Sequence, residues 1–168
     1  MPKNSAEQQS VMLDTSFLIT LANKERVNHD VAVKYHKEFI KRSYDMMLST
    51  IVISEYQQMQ TVTDLMVSGN YIPVPFNFED AIKTAEMAFN VSSDMRASGE
   101  RANAKDDIKI IAQAEANGFT FLITDDDSTM YKYCKKLNDA GIIKLKPIKL
   151  SDGLDMSIFN NGQTGLEI

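Results

Sequence analysis

The chain has 168 residues, 43% hydrophobic and 24% charged, enough for one domain around one core and too few for two. Its net charge of −5 excludes a scaffold that coats nucleic acid through bulk positive charge, although carboxylates committed to divalent cations would also count as negative in that sum. The single cysteine, Cys134, rules out an internal disulfide framework and a cysteine-based zinc site, and it fits a reducing compartment. Residues 1–9 read as a flexible polar arm without the apolar centre of a signal peptide. No stretch approaches the ~20 apolar residues that span a bilayer, so a cytoplasmic location is expected.

From residue 10 to residue 150 short apolar runs alternate with helix-like segments, the pattern of βα units in an α/β domain with a parallel sheet. Ser10 to Asp14 is the first strand, and a helix follows over Ser16 to Asn23. A second helix spans Val27 to Arg42, with Val31, Tyr35 and Phe39 on one face and Lys34, Lys37 and Lys41 on another. Asp45 to Ser49 is the second strand, and Ser49 or Thr50 caps the helix carrying Ile51 to Thr61. A short helix over Thr61 to Val67 stops at Ser68 and Gly69. Tyr71 to Pro75 is a third strand whose two prolines place it at a sheet edge.

Asn77 with Asp80 resembles a capping box, and the helix after it is expected to bury Phe78, Ile82, Ala85 and Phe89. The polar stretch Ser92 to Asn103, with Gly99, reads as a loop or frayed helix. Asp106 or Asp107 then opens a helix to Asn117, with Gly118 as its C′ residue. Phe119 to Thr124 is the strongest strand, Ser128 to Ala140 a helix stopped by Gly141, and Lys144 to Leu150 a last strand. Residues 151–168, rich in Gly, Asn and Asp, are expected to be partly disordered or loosely docked.

Parallel strands joined by crossover helices place strand C-termini and helix N-termini at one edge of the sheet, where open α/β folds bind ligands. Asp14 ends the first strand, and Asp125, Asp126 and Asp127 follow the Phe119–Thr124 strand. Asp106 and Asp107 fall in a first helical turn, and Glu55 lies roughly 8 Å into the helix after the second strand. Crowded carboxylates raise one another's pKa unless a cation joins them. An all-oxygen set suits Mg2+ or Mn2+, one or two ions of which can activate water for phosphodiester hydrolysis. Without metal, Asp14→Asn or Asp126→Asn is therefore expected to fold at least as stably as wild type. Taken singly, Asp14 is equally well a helix cap, Asp107 a partner of the helix dipole and Glu55 a solvated helix residue.

Arg96, Arg101 and Lys105 precede Asp107 and are candidates for phosphate contact, whereas Lys132, Lys135 and Lys136 read as the wet face of a helix. His29 and His36 are seven apart, not at the i, i+4 spacing of a metal pair. Asp125 to Thr129 (DDDST) also satisfies the Asp-x-Asp-x-Thr signature of haloacid-dehalogenase-like phosphatases, with Asp125 and Asp127 as its carboxylates. Too little chain follows Thr129 for that family's later motifs.

Val11 to Ile19 (VMLDTSFLI), Leu48 to Glu55 (LSTIVISE), Asp106 to Gly118 (DDIKIIAQAEANG) and Phe121 to Asp127 (FLITDDD) resemble the PIN domain, and within it the toxin ribonucleases of VapBC-type toxin–antitoxin modules. Asp14, Thr15 and Ser16 match its first motif, and Ser49 with Glu55 the second. An Asp eleven residues before the Gly of Asn-Gly selects Asp107 over Asp106. Strand–Thr–x–Asp selects Asp126 after Thr124, although three consecutive aspartates leave Asp125 and Asp127 as alternatives. The resemblance covers residues 10–150. It implies a three-layer sandwich with a central parallel sheet of order 3-2-1-4-5 flanked by helices. It further implies a Mg2+- or Mn2+-dependent endoribonuclease using Asp14, Glu55, Asp107 and Asp126, frequent homodimers and, for toxin members, an antitoxin partner. The reading from another class is a PIN fold that binds RNA or protein without catalysis.

Overall fold

Two strands carry no polar alternation: β1 (Ser10–Leu13) and β4 (Phe121–Thr124) are buried at every position, as strands covered on both faces must be. With β2 (Asp45–Ser49), β3 (Tyr71–Val74) and β5 (Lys146–Lys149) they form a five-stranded, all-parallel sheet of order β3-β2-β1-β4-β5. The computed structural model describes residues 9–97 and 101–160, without the side chains of residues 68, 93–97 and 101–104. The α/β class and the strand order are those expected. Pro73 sits in β3, opposite Leu48, on the outermost strand, where a missing N–H costs no ladder bond on the open side. Leu13 pairs with Ile123, and Asp14 N–H donates to the Ile123 carbonyl at 3.1 Å. That register brings the ends of the two central strands side by side.

The helices are α1 (Thr15–Ala22), α2 (His29–Lys41), α3 (Thr50–Gln57), α4 (Val62–Ser68), α5 (Phe78–Ala97), α6 (Arg101–Ala116) and α7 (Met130–Asp139). α1 packs on α2 and α3, and α3 on α4, while α5, α6 and α7 pack together. Ser49 caps α3 as expected, its hydroxyl accepting from Ile51 N–H at 3.1 Å. Gly118 and Gly141 follow α6 and α7 with φ near +70°, the left-handed conformation that ends a helix and that glycine adopts without strain. Among the described residues no helix is long and apolar enough to cross a membrane.

α5 turns a different face inward from the one its apolar pattern suggests. Phe78, Ile82 and Phe89 are 74%, 51% and 84% exposed, and Ala85 is exposed too. Asp80, Met87 and Val91 are buried instead. The cause is the Asp80 carboxylate. It accepts from Asn77 N–H (2.9 Å), Gln113 Nε2 (3.3 Å) and Asn117 Nδ2 (3.2 Å), while Asn77 Oδ1 accepts from Asp80 N–H (3.0 Å). The expected capping box forms, and its acid is also the buried anchor that fixes how α5 is rotated against α6.

α6 begins at Arg101 rather than at Asp106 or Asp107, so the polar stretch expected to be a loop or frayed helix is helical on both sides of residues 98–100. Its Ala, Arg and Lys residues are good helix formers, and they extend the helix outward past the apolar pattern. The chain after β5 is anchored as far as the described residues reach. Phe159, 8% exposed, packs against Tyr35, Phe39 and Tyr44 at 5.6–6.2 Å between ring centroids. Tyr35 Oη accepts from Asp155 N–H at 2.9 Å and donates to the Gly153 carbonyl at 3.1 Å.

Candidate functional site

Asp14 occupies the N-cap of α1, yet its carboxylate closes no cap hydrogen bond. It turns toward β4, where Oδ2 accepts from Ser16 Oγ at 2.5 Å and from Thr124 Oγ1 at 2.7 Å. Both hydroxyls are aimed from behind. Ser16 Oγ accepts from Asp125 N–H at 2.8 Å and Thr124 Oγ1 from Asp126 N–H at 2.9 Å, so each spends a lone pair on the backbone and has its proton to give to Asp14. Asp14 is only 5% exposed. Burial pushes its pKa above the usual carboxylate range against the hydrogen bonds of Ser16, Thr124 and the Thr15 backbone, and the Asp126 charge adds to the rise.

Glu55 reaches the same place from α3 and accepts a hydrogen bond from Thr15 Oγ1. Its pKa is raised by burial, opposed by that hydroxyl, and raised further by Asp14 and Asp106. Asp107, on the inner side of α6, is pushed up to about 7 by burial; the Thr129 hydroxyl works against the shift, and the charges of Asp14, Asp126 and Glu55 add to it. Its Oδ2 is buried without a hydrogen-bond partner. Asp106 instead pairs with Lys109 at 2.7 Å, both side chains about 40% exposed. The two neighbours thus differ in their partners, although the Asp106 charge is still felt at Glu55.

The three consecutive aspartates separate. Asp125, its side chain 9% exposed, accepts from Thr20 Oγ1 and from Asn28 Nδ2, both at 2.6 Å, with Arg26 Nη2 at 3.7 Å. It latches the α1–α2 connection onto the end of β4. Asp127 is exposed and accepts from Ser151 Oγ at 2.8 Å. Only Asp126 joins the charge cluster. Its Oδ1 accepts from Ser128 N–H (2.8 Å), Ser128 Oγ (2.7 Å) and Thr129 N–H (3.1 Å), and its Oδ2 from Thr129 Oγ1 (2.6 Å). Burial pushes the Asp126 pKa up, but the Thr129 and Ser128 bonds outweigh it and hold the acid below its ordinary value.

Asp125 and Asp127 are thus tied to different elements, which is not the paired arrangement a dehalogenase-like phosphatase needs. Ser128 and Thr129 were missed as site residues. Their signal is hydroxyls two and three positions after an Asp, the pattern of a side-chain-closed turn. Asp125→Ala should leave the Thr20 and Asn28 donors unpaired and cost about 2–3 kcal/mol in urea unfolding. A loss below about 0.5 kcal/mol, the size of an ordinary surface substitution, would mean the latch contributes nothing.

Asp14, Glu55, Asp107 and Asp126 therefore influence one another electrostatically, supported by Thr15, Ser16, Thr124 and Thr129. Among the described residues no three carboxylate, imidazole or thiol side chains stand as a ready ligand shell for a metal ion. The carboxylates are instead drawn onto hydroxyls. The donor set nonetheless fits a hard divalent cation: every group is an oxygen, and Asp107 Oδ2 is a buried acceptor with nothing to accept. Lys105 is exposed on α6 two residues before Asp107, whereas the side chains of Arg96 and Arg101 lie outside the described residues. His29 Nδ1 lies 3.0 Å from the Thr20 carbonyl and His36 Nε2 2.8 Å from Tyr71 Oη, so both imidazoles are engaged elsewhere.

No family model and no curated protein matches the chain. Among solved structures, VapBC2 from Rickettsia felis, bound to a DNA fragment from its promoter, matches with a TM-score of 0.57 and 17% identity, over 83% of this chain and 98% of that one. DNA-bound VapBC from Salmonella typhimurium matches with a TM-score of 0.51 and 15% identity, over 85% and 99%. The fold is that of a VapC-like PIN domain.

Proposed function

We propose that the chain is a Mg2+- or Mn2+-dependent endoribonuclease, the toxin of a toxin–antitoxin pair, whose Asp14, Glu55, Asp107 and Asp126 would hold one or two ions. The observation that carries this reading is Asp107. Burial and three neighbouring carboxylates raise its pKa to about 7, and its Oδ2 is left without a partner, as an acid awaiting a cation would be. When bound, the ion supplies an activated water and neutralises charge at the scissile phosphate. The chain's own part is to aim the acids. Ser16 and Thr124 orient Asp14, Thr15 orients Glu55, and Ser128 with Thr129 keep Asp126 ionised. The likeness to VapBC complexes supports a small antitoxin partner, and the homodimer and the choice of RNA rest on the resemblance.

The second reading, a PIN fold that binds without cutting, is favoured by one fact: hydroxyls rather than a ready ion shell meet the carboxylates. Incubating the chain with a labelled single-stranded RNA separates the two. Cleavage with Mn2+ or Mg2+ that stops on chelation is expected. RNA left intact with either ion would favour the binding module, and cleavage that survives chelation would contradict a metal-dependent site.

A further inference from the structure

Beside the carboxylate cluster the molecule changes sign. A groove of about 700 Å3 runs between α7 and the end of β5, walled by Lys132, Lys135, Lys136 and Lys149 with Tyr131 among them. Asp127, which follows Asp126 in the chain, lines it as well, and so does Asp139. The Lys149 ammonium stands 5.0 Å from the centre of the Tyr131 ring. The lysines have local partners, among them Asp139 for Lys135 at 2.7 Å, Asp152 for Lys149 at 3.2 Å and the Tyr133 ring for Lys132 at 5.8 Å. Both acids are about 60% exposed. Ion pairs whose acids are this exposed contribute little.

We propose that this groove is a track for the sugar-phosphate backbone of a single-stranded nucleic acid leading away from the carboxylate cluster, a reading that rests on the nuclease function above. Four cations, three from α7 and one from the end of β5, against two lining acids make this groove locally positive in a chain of net charge −5. A polyanion approaching an acidic rim needs a cationic surface within reach, and α7, which carries three of these lysines, begins directly after Thr129, the hydroxyl partner of Asp126. Tyr131 is partly exposed among them, and an unpaired base that displaces the Lys149 ammonium would stack on its ring, the combination by which single strands are held without sequence readout. An acidic polypeptide is the competing occupant, and it has no base to stack.

The test reads binding alone. The full chain, in chelator so that the proposed chemistry is off, is titrated against a labelled single-stranded RNA and the matching DNA at several salt concentrations. Lys132→Gln with Lys136→Gln is expected to weaken binding about tenfold and to lower the salt slope by about 1.4, two phosphate contacts at roughly 0.7 each. Lys34→Gln with Lys41→Gln removes the same charge from α2 and should shift affinity less than about twofold. A loss seen with RNA, DNA or both supports the track and identifies the sugar it accepts. Equal losses in the two variants, no loss in the groove variant, no binding by wild type at low salt, or polyglutamate bound as tightly as RNA would each overturn it. Because no cleavage is read, the outcome stands whether or not the nuclease reading does.

Discussion

Asparagine at position 107 is expected to make the metal-free protein more stable above pH 7, by up to about 4 kcal/mol, while removing its response to divalent ions. The folded-state pKa of Asp107 is about 7 against an ordinary value of 3.8. Between those values the folded protein binds the extra proton, so wild-type stability declines as pH rises from about 4 and the loss is complete above about 7. The side chain is not wholly buried, and solvent screening makes this figure a ceiling. Asparagine has no proton to lose, so the variant's decline over that window should be shallower than that of wild type, keeping only the contributions of groups such as Asp14 and Glu55. Urea unfolding at pH 5 and pH 8 in chelator checks the sign. A variant less stable than wild type at pH 8 would mean that the charged carboxylate is held by something other than a missing cation. If the proposed ion binds, the same proton would make its binding pH-dependent, tighter as pH passes 7 and the ion no longer has to displace it.

Asp14→Asn is expected to lower metal-dependent RNA cleavage by at least about 1,000-fold and to leave the fold intact. Asparagine keeps one oxygen for the Ser16 and Thr124 hydroxyls and removes a charge whose burial raises the pKa. Without metal the variant should therefore melt at or above wild type. Retained cleavage would take Asp14 out of the chemistry, and a strongly destabilised variant would make it a structural residue. The sequence suggests the same tolerance for Asp126→Asn, but the structure argues otherwise. Asp126 is held ionised by Ser128 and Thr129, so it contributes stability above its ordinary pKa that is lost as pH falls through its lowered folded value.

What could be read without coordinates was whatever one strand or helix decides locally. The apolar run before Asp14 and the run before Asp125 are buried strands whose ends must share an edge once the sheet is parallel. The preference for Asp107 over Asp106 comes from the motif spacing of the family the chain resembles, not from any local pattern in the helix. The roles of Asp125, Asp126 and Asp127 were illegible for the opposite reason. Asp125 is claimed by Thr20 and Asn28, far back in the sequence, and no local pattern announces that. The buried face of α5 was misread because a polar residue, Asp80, decides it through Gln113 and Asn117. The start of α6 differs from the expected one because no large apolar residue marks its first turn.

The central claim is that Asp14, Glu55, Asp107 and Asp126 share a divalent ion, and a crystal soaked in Mn2+ tests it by anomalous scattering. A peak bounded by oxygens of these four side chains, with Asp107 Oδ2 among them, is the expected result. Manganese bound elsewhere, or Asp14, Glu55 and Asp126 still closed onto their hydroxyls with no ion beside Asp107, would contradict it.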